Sequence, residues 1–114
     1  MASSLSPLER ALVELVELVE LVASENWKDF RVDALQVRQR ENTGAGRYTH
    51  FEDRLKQALR DGTYTAQGKL LQMEGVRDGL AFVVDVTGGV INYLEIAVYG
   101  NESWDGVERA WQIV

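Results

Sequence analysis

Apolar and polar positions follow two different rhythms along this chain, and the rhythm changes after Asn26. From Pro7 to Ala23 (PLERALVELVELVELVA) the apolar residues recur every three or four positions. At about 100° per residue, Leu8, Ala11, Leu12, Leu15, Val16, Leu18, Val19, Val22 and Ala23 fall within an arc of about 160°. Glu9, Arg10, Glu14, Glu17, Glu20, Ser24 and Glu25 occupy the opposite arc, and only Val13 and Leu21 are misplaced. This is the pattern of an amphipathic helix that lays its apolar arc on a sheet of its own domain. Its start is signalled too: Ser6 suits an N-cap, Pro7 the first helical position, and Glu9 the third, completing a capping box. The Leu-Val-Glu triplet repeats with period three, not the 3.5 of a coiled coil, so no zipper is expected.

Beyond Asn26 the period shortens to two. Phe30 to Arg40 alternates as Phe30/Val32/Ala34 and then Leu35/Val37, one slip of phase that predicts a bulged strand. Residues 41–46 read as a loop and Arg47 to Glu52 as the partner strand. Asp53 to Arg60, with Leu55, Ala58 and Leu59 ahead of Asp61-Gly62, predicts a short helix ended by a glycine cap. Lys69 to Glu74 and Arg109 to Val114 read as further strands. Leu80–Thr87 and Val90–Tyr99, separated by Gly88-Gly89, predict a hairpin with a two-residue turn.

A straight register from Thr87 opposite Val90 sets Val86 against Ile91, Val84 against Tyr93 and Phe82 against Glu95. One hairpin face then carries Leu80, Phe82, Val84, Val86, Ile91, Tyr93, Ala97 and Tyr99. The other carries Ala81, Val83, Val90, Leu94, Ile96 and Val98. Both faces are apolar, so both need cover. The helix covers one; a curled sheet, the Trp104/Trp111 tail or a second copy of the chain covers the other. The expected architecture is one α+β domain over residues 1–114: a long N-terminal amphipathic helix packed on a curled antiparallel sheet of five to six strands.

Composition narrows the function. The 114 residues include 18 acids, 12 bases, one histidine and no cysteine, for a net charge of -6. Residues 1–26 carry a net -4, residues 27–66 a net +2, and residues 67–114 a net -4. Acidic chains repel phosphate backbones and anionic membranes, so neither nucleic acid nor membrane is an expected partner. Glu14, Glu17 and Glu20 interrupt the apolar helix and exclude a membrane span. No basic n-region of a signal peptide is visible, and the expected location is the cytoplasm. Lacking cysteine, the chain has no thiolate chemistry, and one histidine supplies no His-rich metal cluster; no cofactor is expected.

Candidate chemistry is sparse. In the straight register Glu95 points among Phe82, Tyr93 and Tyr99, where a carboxylate must find a donor, a ligand or a proton. That makes Glu95, Tyr93, Tyr99 and Phe82 a candidate ligand pocket. Arg38, Arg40 and Arg47, within a basic cluster that continues through Arg54, Lys56 and Arg60, form a candidate anion site, with Arg38 and Arg40 on one strand face. The opposing reading balances those bases with nearby acids. His50, alone, reads as a surface or half-buried strand residue. No catalytic constellation emerges. Trp27, Trp104 and Trp111 are of the residue type favoured at interface centres.

The segment GLAFVVDVTGGVINYLEIAVYGNESW, with Leu94, Glu95, Tyr99, Gly100, Glu102 and Trp104, resembles a pattern found in small bacterial α+β proteins with no assigned activity. Small acidic proteins of this build resemble immunity or antitoxin partners. The expected function is therefore a non-catalytic domain that self-associates as a homodimer and binds a protein partner. The alternatives are a small-ligand or enzymatic pocket centred on Glu95, and an anion-binding module using Arg38, Arg40 and Arg47.

Overall fold

A computed structural model describes residues 3–55 and 57–114. Helix α1 (Pro7–Ala23) begins as the sequence signals: Ser6 caps it, Pro7 follows, and the Ser6–Glu9 capping box closes in both directions. Single 3-10 turns at Glu25–Trp27 and Val32–Ala34 carry the chain into the sheet. The strands are β1 (Leu35–Asn42), β2 (Gly46–Asp53), β3 (Gly62–Tyr64), β4 (Leu71–Met73), β5 (Val76–Thr87), β6 (Val90–Val98) and β7 (Trp111–Ile113). They form one antiparallel sheet of order β1-β2-β6-β5-β4-β7, with β3 pairing the far end of β5. The α+β class and the helix-on-sheet layering are as expected. The sheet has seven strands and stays open rather than closing into a barrel.

The additional strand, β3, follows a segment read differently in the sequence. Asp53 to Arg60 forms no helix among the described residues, and Lys56 lies outside them. Eight residues with one apolar stripe are too short to nucleate a helix alone. Instead, the Leu59 N–H donates to the Gly89 carbonyl at 2.8 Å while its side chain enters the core. The chain then leaves through Asp61 and Gly62 into β3.

Gly88 and Gly89 take positive φ values of 66° and 81°, as a two-residue hairpin turn demands. Thr87 pairs with Val90 and Val86 with Ile91, but the next pair is Asp85 with Tyr93. Asn92 is left over as a bulge, and everything beyond it slides by one position. Val84 thus faces Leu94, Phe82 faces Ile96, and Glu95 faces Val83, not Phe82. Packing explains the slip. Ile91 cannot share a face with Leu94 and Ile96 in an unbroken strand, because side chains alternate. One extra residue lets all three join Leu80, Phe82, Val84 and Val86 in the core beneath α1. The outer face keeps Ala81, Val83, Asp85, Tyr93, Glu95 and Ala97, all half-buried. The hairpin therefore has one core side and one open side, and the expectation of two apolar faces is overturned.

Two of the three tryptophans are likewise internal. Trp27 is fully buried, edge-on to Phe30 at 5.1 Å and to Tyr64 at 5.3 Å, and Trp104 is buried as well. Trp111 alone stays half-buried, on β7.

The bulged register makes a direct prediction. Leu94→Ala should cost about 2–5 kcal/mol in urea unfolding, because it empties a closed core site. Tyr93→Ala, on the open face, should cost about 1 kcal/mol or less. The unbulged pairing, with Tyr93 and Leu94 each on a covered face, makes both substitutions costly.

Candidate functional site

Glu9 belongs to the polar arc of α1 by spacing, yet it is 0% exposed. Its carboxylate collects five donors. Oε1 accepts from the Ser6 N–H at 2.8 Å and from Arg40 Nη2 at 2.7 Å. Oε2 accepts from Arg40 Nε at 2.8 Å, Arg47 Nη2 at 3.0 Å and Thr49 Oγ1 at 2.7 Å. Arg40 thus grips it side-on with two parallel bonds, the strongest geometry open to that pair. Arg47 also reaches Glu108 Oε2 at 2.8 Å and the Gly106 carbonyl at 3.0 Å, with its guanidinium 5.4 Å from the Trp104 ring centre. Ser6 Oγ donates to the same Glu108 oxygen at 2.6 Å. Two acids and two bases meet here, so the cluster is neutral.

Local sequence explains how these groups converge. The capping box turns Glu9 back toward the helix start. β1 carries its own bulge: Val37 pairs with Phe51 and Gln39 with His50, leaving Arg38 unpaired. The extra residue breaks the alternation, so Arg40 pairs with Thr49 on the helix side, parted by the bulge from the exposed Arg38. Arg47, Thr49 and Phe51 are the buried side chains of β2. The expected shared face of Arg38, Arg40 and Arg47 is therefore not formed. Arg40 and Arg47 face one another across Glu9, and their charge is already matched by Glu9 and Glu108. An incoming anion finds no free base among them.

Burial by itself pushes the Glu9 pKa up; hydrogen bonds from Arg40, the Ser6 N–H and Thr49 outweigh it and bring the value from 4.5 to about 2. A carboxylate held so low stays ionised at neutral pH and serves as neither general acid nor base. The cluster is a clasp, joining the start of α1, β1, β2 and the segment after β6.

The clasp also fixes the roll of α1. With Glu9 turned inward, the buried face is Leu8, Glu9, Leu12, Val13 and Val16. Val13, misplaced by the arc expected from spacing, is fully buried. In exchange, Leu18 is 61% exposed, Val22 85% and Leu21 39%. Leu18 and Val22, at i and i+4, continue the line of the half-buried Ala11 and Leu15 out onto the exposed side of the helix, while Leu15 itself still packs against the core. Part of the apolar arc is thus left without cover inside this chain.

The residues of the expected Glu95 pocket separate. Phe82 lies in the core, while Tyr93 and Glu95 sit on the outer sheet face and Tyr99 is 47% exposed past the end of β6. A cleft of about 570 Å³ opens instead along β4, the start of β5 and β7, lined by Gln72, Met73, Arg77, Asp78 and Trp111 among others. His50 Nε2 lies 3.3 Å from Glu41 Oε1 on the open side of the sheet. Among the described residues no group of three or more His, Asp or Glu side chains is arranged to hold a metal ion, and no helix is long and apolar enough to cross a membrane.

The Glu9 clasp has a pH signature. The folded pKa lies below the unfolded one, so its stabilisation is present above about pH 4.5 and drains away as pH falls toward about 2. The shift corresponds to about 3 kcal/mol. Glu9→Gln should cost about 3–5 kcal/mol at pH 7, because Arg47 stays buried with half its compensation gone. It should also remove this share of the acid sensitivity in urea titrations at pH 7 and pH 3. An unaltered acid profile in the variant contradicts the assignment.

No family model, no curated protein and no solved structure matches the chain.

Proposed function

We propose that this chain is a non-catalytic protein-interaction module whose partner docks on the outer stripe of α1. The carrying observation is the exposure of Leu18 and Val22, at 61% and 85%, on a helix that has apolar residues to spare. Leaving two such side chains in water forgoes about 2–3 kcal/mol of burial, which a partner recovers on docking. The rim of the stripe tells what kind of partner fits. Glu14 and Glu17 border it, and the one base of the helix, Arg10, is already bound to Asp33 and Glu14. A segment with an apolar ridge flanked by lysine or arginine complements this surface.

A second copy of the chain is the competing occupant, and charge disfavours it. Two α1 stripes in contact bring the glutamates of both copies together, between chains that each carry -6. The reading is thus an acidic chain that covers a basic protein, in the manner of the immunity-type proteins that small acidic domains of this build resemble.

A synthetic amphipathic Leu/Lys peptide tests this, with a Leu/Glu peptide of the same pattern and a scrambled Leu/Lys peptide as controls. Calorimetry should detect binding of the patterned basic peptide alone, and Leu18→Glu with Val22→Glu should weaken it at least about tenfold. Both side chains are exposed, so the fold survives the change. Equal binding by the scrambled peptide, or by the double variant, overturns the proposal. So does a dimer in sedimentation that the same two substitutions dissociate, which would make a second copy the occupant.

A further inference from the structure

The open face of the sheet carries a separate cluster that the helix stripe does not touch. β2 and β6 are interior strands, so their backbone groups are spent on neighbours and a ligand meets side chains only. Tyr48 lies opposite Glu95 and His50 opposite Tyr93. Tyr48 and Tyr93 meet edge to face with centres 5.3 Å apart, and Tyr48 stacks on His50 at 6.1 Å. His50 and Tyr93 are 6.2 Å apart, closing a three-ring group. All three rings are half-exposed, and α1 packs on the other side of the sheet.

Carboxylates surround these rings. Glu41 pairs with Tyr48 from β1, and Asp85 pairs with Tyr93 from β5. Glu95 stands beside the Tyr48 hydroxyl and raises its pKa through that hydrogen bond and through charge. The exposed Arg38, at the β1 bulge, is the nearby base. Ring faces and carboxylates are both negative, so anionic ligands are repelled and a cation is favoured. Glu41 lies beside His50 and Asp85 accepts from Thr87 and Asn92, which leaves Glu95 as the acid placed to meet it.

We propose that this face binds a guanidinium group: an arginine side chain of an extended partner segment, lying against the Tyr48 and Tyr93 rings and hydrogen-bonded to Glu95. Arginine suits it better than lysine. Its plane stacks on rings, its weak hydration eases desolvation, and its fork matches a carboxylate. Lying across the sheet from Leu18 and Val22, this site stands whether or not the helix stripe has a partner.

The probe is a blocked Gly-Arg-Gly-Arg-Gly peptide titrated into the isotope-labelled protein, followed by NMR, beside its lysine and citrulline counterparts. Shifts should concentrate at Tyr48, His50, Tyr93 and Glu95, with the lysine peptide several-fold weaker and the neutral citrulline peptide inert. Glu95→Gln and Tyr93→Ala should each weaken arginine binding about fivefold or more while core resonances stay in place. Leu18→Glu with Val22→Glu should leave it unchanged. No shift at millimolar peptide, equal binding by citrulline, or shifts mapping to Glu14, Glu17 and Glu20 overturns the proposal. So does preferential seating of a neutral oligosaccharide such as cellotetraose on these rings.

Discussion

The Glu9 carboxylate accepts five hydrogen bonds in a place that excludes water, and three chain segments (the start of α1, β1 and β2) converge to supply them. Such a group tolerates few alternatives. Removing any one donor leaves a buried charge short of compensation, and turning the helix out of register abandons all of them at once. The cluster is therefore better understood as a specifier of arrangement than as a source of net stability. It sets which face of α1 meets the sheet, and it anchors the segment after β6 through Glu108 and Gly106. The exposure of Leu18 and Val22 follows from that constraint.

Much of the fold is legible in local chemistry. Ser6-Pro7-x-Glu9 states where the helix begins, and Gly88-Gly89 states where the hairpin turns. Legibility fails where a long-range contact overrules a local period. Spacing alone assigns Glu9 to solvent, because nothing within α1 reveals that Arg40 and Arg47 wait on β1 and β2. The β6 bulge had a signal: Ile91 and Leu94/Ile96 fall in opposite phase, and Asn92 sits at the slip. The slip of phase in the first segment, by contrast, falls at Ala34/Leu35, where a 3-10 turn (Val32–Ala34) gives way to β1; the bulge of that strand lies further on, at Arg38. In β2, Arg47/Thr49/Phe51 and Tyr48/His50/Glu52 offer two faces of similar polarity, and only the clasp decides which one turns inward.

The corrected register changes where function is sought. Glu95 is not an acid trapped among oily side chains; it belongs to an open aromatic and acidic face. Arg40 and Arg47 are not an anion cradle; they are internal counter-ions. What remains available are two surfaces on opposite sides of the molecule, one apolar with an acidic rim, one aromatic with an acidic surround. Both suit cationic protein chemistry, in keeping with the overall charge of -6.

Because the chain has no cysteine of its own, single cysteines can report the roll of α1 without interference. Thiol-labelling rates for Val13→Cys, Val16→Cys, Leu18→Cys and Val22→Cys, each in the otherwise unchanged chain, give the most direct reading. Fast labelling at 18 and 22 with strong protection at 13 and 16 is the result expected of a helix rolled inward on Glu9. Protection at 18 and 22 with an open 13 would mean that the apolar arc alone sets the helix, and that Glu9 does not.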